Sequence, residues 1–438
     1  MNEVAAPLAD LLRSCIQCGL CLPHCATYLA TGSEVQSPRG RLLLLGDVLA
    51  SGTTQAPAAY LEAFDQCIGC RACETVCPSG VPFTLLAHGQ ELAARAGVGG
   101  EAGQPSLRLP GLVLRRLDSP AFLRLLGGLG AAARAVCRVV GRSDWRRRLD
   151  RGPQPVASLA RLLGSLPASP QADGDLVELL DSLVRKAGHR PAVLESPMAA
   201  PTPHPGGRAV LFFRGCANEG LLPGTSRRLL GLMTAAGCAV TVPAGQECCG
   251  ALAAHTGRPE RQRQLERRNT DAFATAATEV SIVVEAAGCA HQLKSYPPDF
   301  ASRVVDAASL LADLELPPLG PVPLRVACHD PCHARHGLHA TAAPRRLLAA
   351  IPQLTWCEAT QVEVCCGSGG AWGLRHPVMS VELARLKAAD LAATGADLVV
   401  TTNPGCLGQI ADGMALVAPT VPVLPLTDLL WYAACRRG

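Results

Sequence analysis

Eight of the 21 cysteines stand in two short groups, Cys15-Ile-Gln-Cys18-Gly-Leu-Cys21-Leu-Pro-His-Cys25 and Cys67-Ile-Gly-Cys70-Arg-Ala-Cys73-Glu-Thr-Val-Cys77-Pro78. Three thiols at intervals of three residues wrap a tight loop around one metal assembly, and backbone N–H groups of such a loop can point at the sulfurs. Gly19 and Gly69 supply the backbone freedom that the loop requires. Soft thiolates in this C-x₂-C-x₂-C-x₃-C spacing point to iron–sulfur chemistry. Structural zinc fits less well, because its ligand pairs are usually well separated along the chain.

The fourth cysteine of each group points away from its own loop and, in two-cluster ferredoxins, ligates the other cluster. Applied here, Cys15, Cys18, Cys21 and Cys77 hold one [4Fe–4S] cluster, and Cys67, Cys70, Cys73 and Cys25 hold the second. The exchange would fasten the two loops together. Arg39 and Arg41 follow in Pro38-Arg39-Gly40-Arg41. They would stabilise a reduced cluster, dock an acidic partner, or simply face water at a helix start.

A second cysteine pattern occurs twice. Cys216 precedes Cys248–Cys249 by 32 positions and Cys289 follows Cys249 by 40; Cys332 precedes Cys365–Cys366 by 33 and Cys406 follows Cys366 by 40. Each pair is followed by glycine, Gly250 or Gly367, and each copy carries an Arg-Arg-Leu-Leu segment, Arg227 to Leu230 and Arg345 to Leu348. Matching intervals of this length indicate a duplicated domain. The flanking runs RAVLFF, CAVTVP, VSIVVEAA, LRVACHD, ADLVVTT and VPVLPL alternate with helical stretches, the pattern of βα units and mostly parallel sheets. Cys216, Cys289, Cys332 and Cys406 fall at the C-terminal ends of expected strands, the edge where such sheets bind ligands. Adjacent cysteines on a strand would face opposite ways, so both pairs are expected in loops. All eight are candidate ligands for further iron–sulfur clusters or zinc. Cys137, Cys238, Cys357 and Cys435 read as small buried hydrophobes. Cys328, beside His329, His333 and His336, reads either as a substitute ligand or as part of a hydrogen-bonded loop.

These groups need positioning elements. The chain of 438 residues has a length suited to about three units. Four segments follow: a helical ferredoxin-like region at 1–95, a basic helical connector ending in a Pro-rich linker at 96–207, and the two repeats at 208–323 and 324–438. The fold class is therefore α+β multidomain. Within 96–161, twelve arginines face four acidic residues, which suits an arginine-rich solvated face or peripheral contact with a membrane surface. A net charge of +4 and an aromatic content of 3% argue against a nucleic-acid partner. An odd number of cysteines in a long chain whose N-terminus does not read as a secretion signal suggests a reducing, cytoplasmic setting.

The chain resembles the iron–sulfur subunits of glycolate oxidase, with kin in lactate-oxidising and anaerobic glycerol-3-phosphate dehydrogenase subunits and in the B-type subunit of heterodisulfide reductase. The resemblance lies in CIQCGLCLPHCATY, SPRGRL, CIGCRACETVCPSGV, ECCGALAAH, CHDPCH, VCCGSGGAWG and TTNPGC. It implies a component that relays electrons from flavin-containing subunits, which oxidise glycolate or another 2-hydroxy acid, to a quinone or other acceptor. A heterodisulfide reductase-like, lactate or glycerol-3-phosphate role is the alternative. In the heterodisulfide relatives each repeat ends in C-x-x-C, whereas Gln292 and Gln409 stand at that last place here. No catalytic residue toward the organic substrate is expected.

Overall fold

A computed structural model of the chain describes residues 2–51, 57–95, 116–129, 168–194, 207–256, 258–274 and 279–437. Cys137, most of the basic connector and the Pro-rich run lie outside the described residues. Helices Asn2–Arg13, Ala26–Thr31, Pro38–Ala50, Ala58–Asp65 and Thr84–Arg95 build the N-terminal region. The third begins as its sequence dictates: the Ser37 hydroxyl accepts from the Gly40 amide at 3.0 Å, and Pro38 occupies the first turn, where its missing N–H costs nothing. Leu42, Leu45, Leu61, Phe64, Leu85 and Leu86 form the core of this region. Gly89 lets helices 58–65 and 84–95 close up, since a Cβ there would lie 2.2 Å from the Phe64 ring.

Eight strands carry the repeats: β1 (Arg208–Phe213), β2 (Cys238–Thr241), β3 (Ser281–Val284), β4 (Val304–Asp306), β5 (Arg325–His329), β6 (Thr355–Cys357), β7 (Leu398–Thr401) and β8 (Val423–Pro425). They form two four-stranded sheets, ordered β2-β1-β3-β4 and β6-β5-β7-β8, with every pairing parallel. The duplication expected from the cysteine intervals is thus repeated in strand order. All six expected strand runs form strands, and β4 and β6 are additional.

The two sheets share one core. Val210, Phe212 and Val283 of the first repeat pack in the same apolar cluster as Val326, Cys328, Val400 and Leu424 of the second. Helix Asp173–Lys186 adds Leu176, Leu180, Leu183 and Val184, and the C-terminal helix Leu426–Ala434 adds Leu429, Leu430, Trp431 and Tyr432. A buried ion pair pins this junction: Arg228 donates to Asp428 at 3.0 Å and to Asp173 at 3.0 Å. The Tyr432 hydroxyl donates to Asp181 at 2.6 Å. The connector also contributes, because Leu117, Leu123 and Leu126 pack beside Cys216 and Cys248 of the first repeat. Among the described residues, no helix is long and apolar enough to cross a membrane.

Candidate metal centres

The two N-terminal loops share one backbone form. Positive φ occurs at the second and fourth places after the first cysteine of each loop: Gln17 (58°) and Gly19 (79°), then Gly69 (77°) and Arg71 (64°). Glycine relieves one such place in each loop, and the other strains a residue with a side chain. Cys15, Cys18, Cys21 and Cys77 line one cavity, together with Cys73, Arg39 and Phe83. Cys25, the last residue of the first group, is buried and lies within electrostatic reach of Cys67, Cys70 and Cys73 as well as of Cys21 in its own loop. Burial pushes the Cys67, Cys70 and Cys73 thiols up, so binding a metal requires that it displace their protons.

The two arginines of Pro38–Arg41 divide between the loops. Arg39 donates to the Gln17 carbonyl at 3.2 Å and pairs with Glu34. Arg41 is 1% exposed and donates to the Ala63 carbonyl at 2.6 Å, the Gln36 carbonyl at 2.8 Å and Thr27 Oγ1 at 3.2 Å. Thr27 Oγ1 is in turn 3.3 Å from Cys25 Sγ, and the Arg41 charge favours the Cys67 thiolate. Arg41 is therefore a buried cation at the second loop, not a solvated helix start.

In each repeat the four candidate cysteines converge at the C-terminal edge of the sheet. Cys216 Sγ lies 3.3 Å from Cys248 Sγ, Cys248 and Cys249 interact, and Cys249 interacts with Cys289. The second set repeats the chain: Cys332 Sγ is 4.0 Å from Cys365 Sγ, and Cys366 interacts with Cys365 and Cys406. Both Cys-Cys pairs are in loops, turned by Gly250 (φ 83°) and Gly367 (φ 86°). Asn269 and Tyr296 hold the first loop by donating to the Cys248 and Cys249 carbonyls at 3.0 and 3.1 Å. The second is held where Ser380 Oγ donates to the Gly367 carbonyl at 3.0 Å. Converging, mostly buried thiols free of disulfides fit a thiophilic metal or cluster. Gln409 is occupied elsewhere, donating to Ser380 O and Oγ at 2.7 and 2.8 Å, and Gln292 donates to Ser295 at 3.0 Å. Neither therefore extends its cysteine set.

Of the remaining cysteines, Cys238 and Cys435 are buried in the shared core, and Cys357 packs beside the second repeat. Cys328 is in that core too, on the face away from the pocket. Its neighbour His329 is a candidate ligand that cysteine spacing does not reveal. Alternation along β5 is the signal that could have found it, since two successive strand residues face opposite sides. His329 is 3% exposed, and burial holds its imidazole neutral, helped by Lys387 and Arg335.

The second N-terminal loop sits against the repeats. Ala26, Ile68 and Cys70 pack with Cys332, Cys365, Trp372 and Leu383, and the charges of Cys332 and Cys365 couple to Cys70. Thr75 Oγ1 lies 3.0 Å from His336 Nδ1, and Arg71 reaches His291 at 3.4 Å. Buried Asp65 pairs with Arg375 and lies 3.2 Å from His376 Nε2. The first loop faces outward: Cys18 is exposed, and Ile16 and Leu20 are 66% and 54% exposed.

A helical region with two four-cysteine loops, seated on a pair of parallel-sheet cysteine repeats, defines an iron–sulfur protein. Residues 11–81 match the 4Fe-4S dicluster domain, and residues 210–294 and 326–411 each match the Cysteine-rich domain. The chain is homologous along nearly its whole length to glycolate oxidase iron-sulfur subunits. It is 29% identical to the probable glycolate oxidase iron-sulfur subunit of Bacillus subtilis, covering 97% of this chain and 95% of that one. Against the glycolate oxidase iron-sulfur subunit of Escherichia coli it is 28% identical, covering 94% and 92%. A fumarate reductase (CoM/CoB) subunit of Methanothermobacter marburgensis is 34% identical over 48% of this chain and 43% of its own length.

Proposed function

We propose that the chain is the electron-transfer subunit of a 2-hydroxy acid oxidase, with glycolate the favoured substrate of the complex. Flavin-containing subunits oxidise the acid and this chain carries the electrons onward to a quinone or another acceptor. It works in the cytoplasm or against the inner face of the cell membrane. Cys15, Cys18, Cys21 and Cys77 hold one [4Fe–4S] cluster, and Cys67, Cys70, Cys73 and Cys25 hold the other. Cysteines of the two repeats bind one or two further metal cofactors.

One observation carries the relay reading: two cysteine loops share a single helical core, one open to solvent and the other walled in by the repeats. The exposed loop, rimmed by Ile16 and Leu20, is where a partner would bring its own redox centre close. The clusters supply one-electron exchange when bound; the protein spaces them, excludes water from the inner one and sets charge around it through Arg41. Gln292 and Gln409, standing where the last cysteine of C-x-x-C would be, speak against the heterodisulfide reading.

The test is Cys70→Ser in the assembled complex. Flavin reduction by glycolate should persist while electron exit to an external acceptor is abolished. Unimpaired downstream reduction would end the relay reading.

A further inference from the structure

The two repeats are alike in sheet order and cysteine spacing but differ at one position of the pocket. His329, the last residue of β5, stands three residues before Cys332 and pairs in register with Thr401 at the end of β7. The corresponding residue of the first repeat is Phe213, three before Cys216 and paired with Val284 at the end of β3. Phe213 is fully buried against Phe273, with ring centroids 6.0 Å apart. The first repeat thus has an aromatic hydrocarbon where the second has an imidazole.

That imidazole is placed as a ligand. Its Nε2 is buried and has no hydrogen-bond partner, which is costly for a polar atom with nothing to bind. The ligand atoms of His329, Cys366 and Cys406 all lie within 4.8 Å of one another. Donors sharing one ion at about 2.3 Å for sulfur and about 2.0–2.1 Å for nitrogen must approach one another this closely. Thiolates radiating from separate irons of a cubane stand further apart. Lys387, 2% exposed, donating to the Gln361 carbonyl and paired with Asp390 at 3.6 Å, stands near Cys365 and Cys366.

We propose that the second repeat holds a single tetrahedral ion, zinc by its nitrogen and sulfur donors, through His329, Cys366 and Cys406, and that the two repeats therefore carry different sites. Cys365 is adjacent to supply the fourth ligand. The ion ties the Cys-Cys loop to β5 and to the helix Pro404–Val417 that carries Cys406, and so fixes the wall on which Cys70 rests. This does not depend on the relay reading, because its test reads metal coordination and not electron flow.

The test uses the full chain purified without oxygen, with iron and zinc measured by elemental analysis and the zinc shell by X-ray absorption. The expected shell contains nitrogen as well as sulfur. His329→Ala should lose one zinc equivalent and the nitrogen contribution, with the visible and paramagnetic signals of the N-terminal clusters unchanged. His329→Cys should keep the ion in an all-sulfur shell. A wild-type shell of sulfur alone, a chain holding iron in both repeats and no zinc, or unchanged zinc coordination in His329→Ala would overturn the proposal.

Discussion

Glu285→Gln should make the paired repeats more stable at alkaline pH and flatten their pH dependence. Glu285 follows β3 and accepts from Ser226 Oγ at 2.9 Å and from Asn218 Nδ2, while its Oε1 is buried with no partner. Burial, with Asp428 adding repulsion, raises its carboxyl from an ordinary 4.5 to about 7. At 1.36 kcal/mol per pH unit the rise corresponds to about 3 kcal/mol. The folded chain keeps the proton through this interval and the unfolded chain releases it. Stability contributed by this group is therefore greatest below the unfolded value, falls as pH climbs toward 7 and is flat above. About 2 kcal/mol of the loss falls between pH 5.5 and 8.5. Glutamine keeps an acceptor for Asn218 and Ser226, puts an uncharged amide at the unpartnered oxygen and does not titrate. Thermal melts of wild type and variant, recorded without oxygen at equal metal content, should separate by roughly 6–12 °C at pH 8.5 and by much less at pH 5.5. Parallel melting curves across that range would refute the assignment of the proton to Glu285.

Three further outcomes are expected. Double variants report the ligand exchange between loops: Cys15→Ser with Cys77→Ser should cost about four iron atoms, and Cys15→Ser with Cys25→Ser about eight. Equal losses in an iron assay would contradict it. Arg41→Gln removes a buried cation beside Cys25 and Cys67, so a potentiometric titration should find the second cluster harder to reduce and the first unmoved. Gly250→Ala should cost about 1–2 kcal/mol for its left-handed backbone alone, because the nearest atom to a new Cβ there is 3.4 Å away. Gly367→Ala should cost more than that in a thermal melt and release metal from the second repeat, because its Cβ would meet Leu383 Cβ at 2.6 Å.

The features visible in the sequence are those written at short range or repeated. Cysteine spacing exposed both N-terminal loops and the duplication, and apolar runs exposed β1, β2, β3, β5, β7 and β8. Missing were β4, Val304–Asp306, and β6, Thr355–Cys357, three-residue strands too short to show a period. The left-handed backbone at Gln17 and Arg71 carried no glycine to announce it. Arg41 looked like any helix-start arginine because its partners at Ala63, Gln36 and Thr27 are assembled only by the fold. His329 was hidden for a related reason: a histidine three residues before a cysteine means little until a loop 37 residues later and a helix 77 residues later bring Cys366 and Cys406 to it. The seam joining Cys70 to the second repeat is a long-range contact that no local pattern encodes.

The shared core also bears on how the protein is made. Val210 and Phe212, at the opening of the first repeat, belong to the same apolar cluster as residues of the helix Leu426–Ala434, and Arg228 finds its buried partner at Asp428. During synthesis this helix leaves the ribosome only after the strands of both repeats. A nascent chain that already displays Cys216, Cys248, Cys249 and Cys289 therefore lacks part of the core behind their sheet until that helix emerges. Loss of the helix Leu426–Ala434 would then strip core from the earlier repeat as well as from the later one.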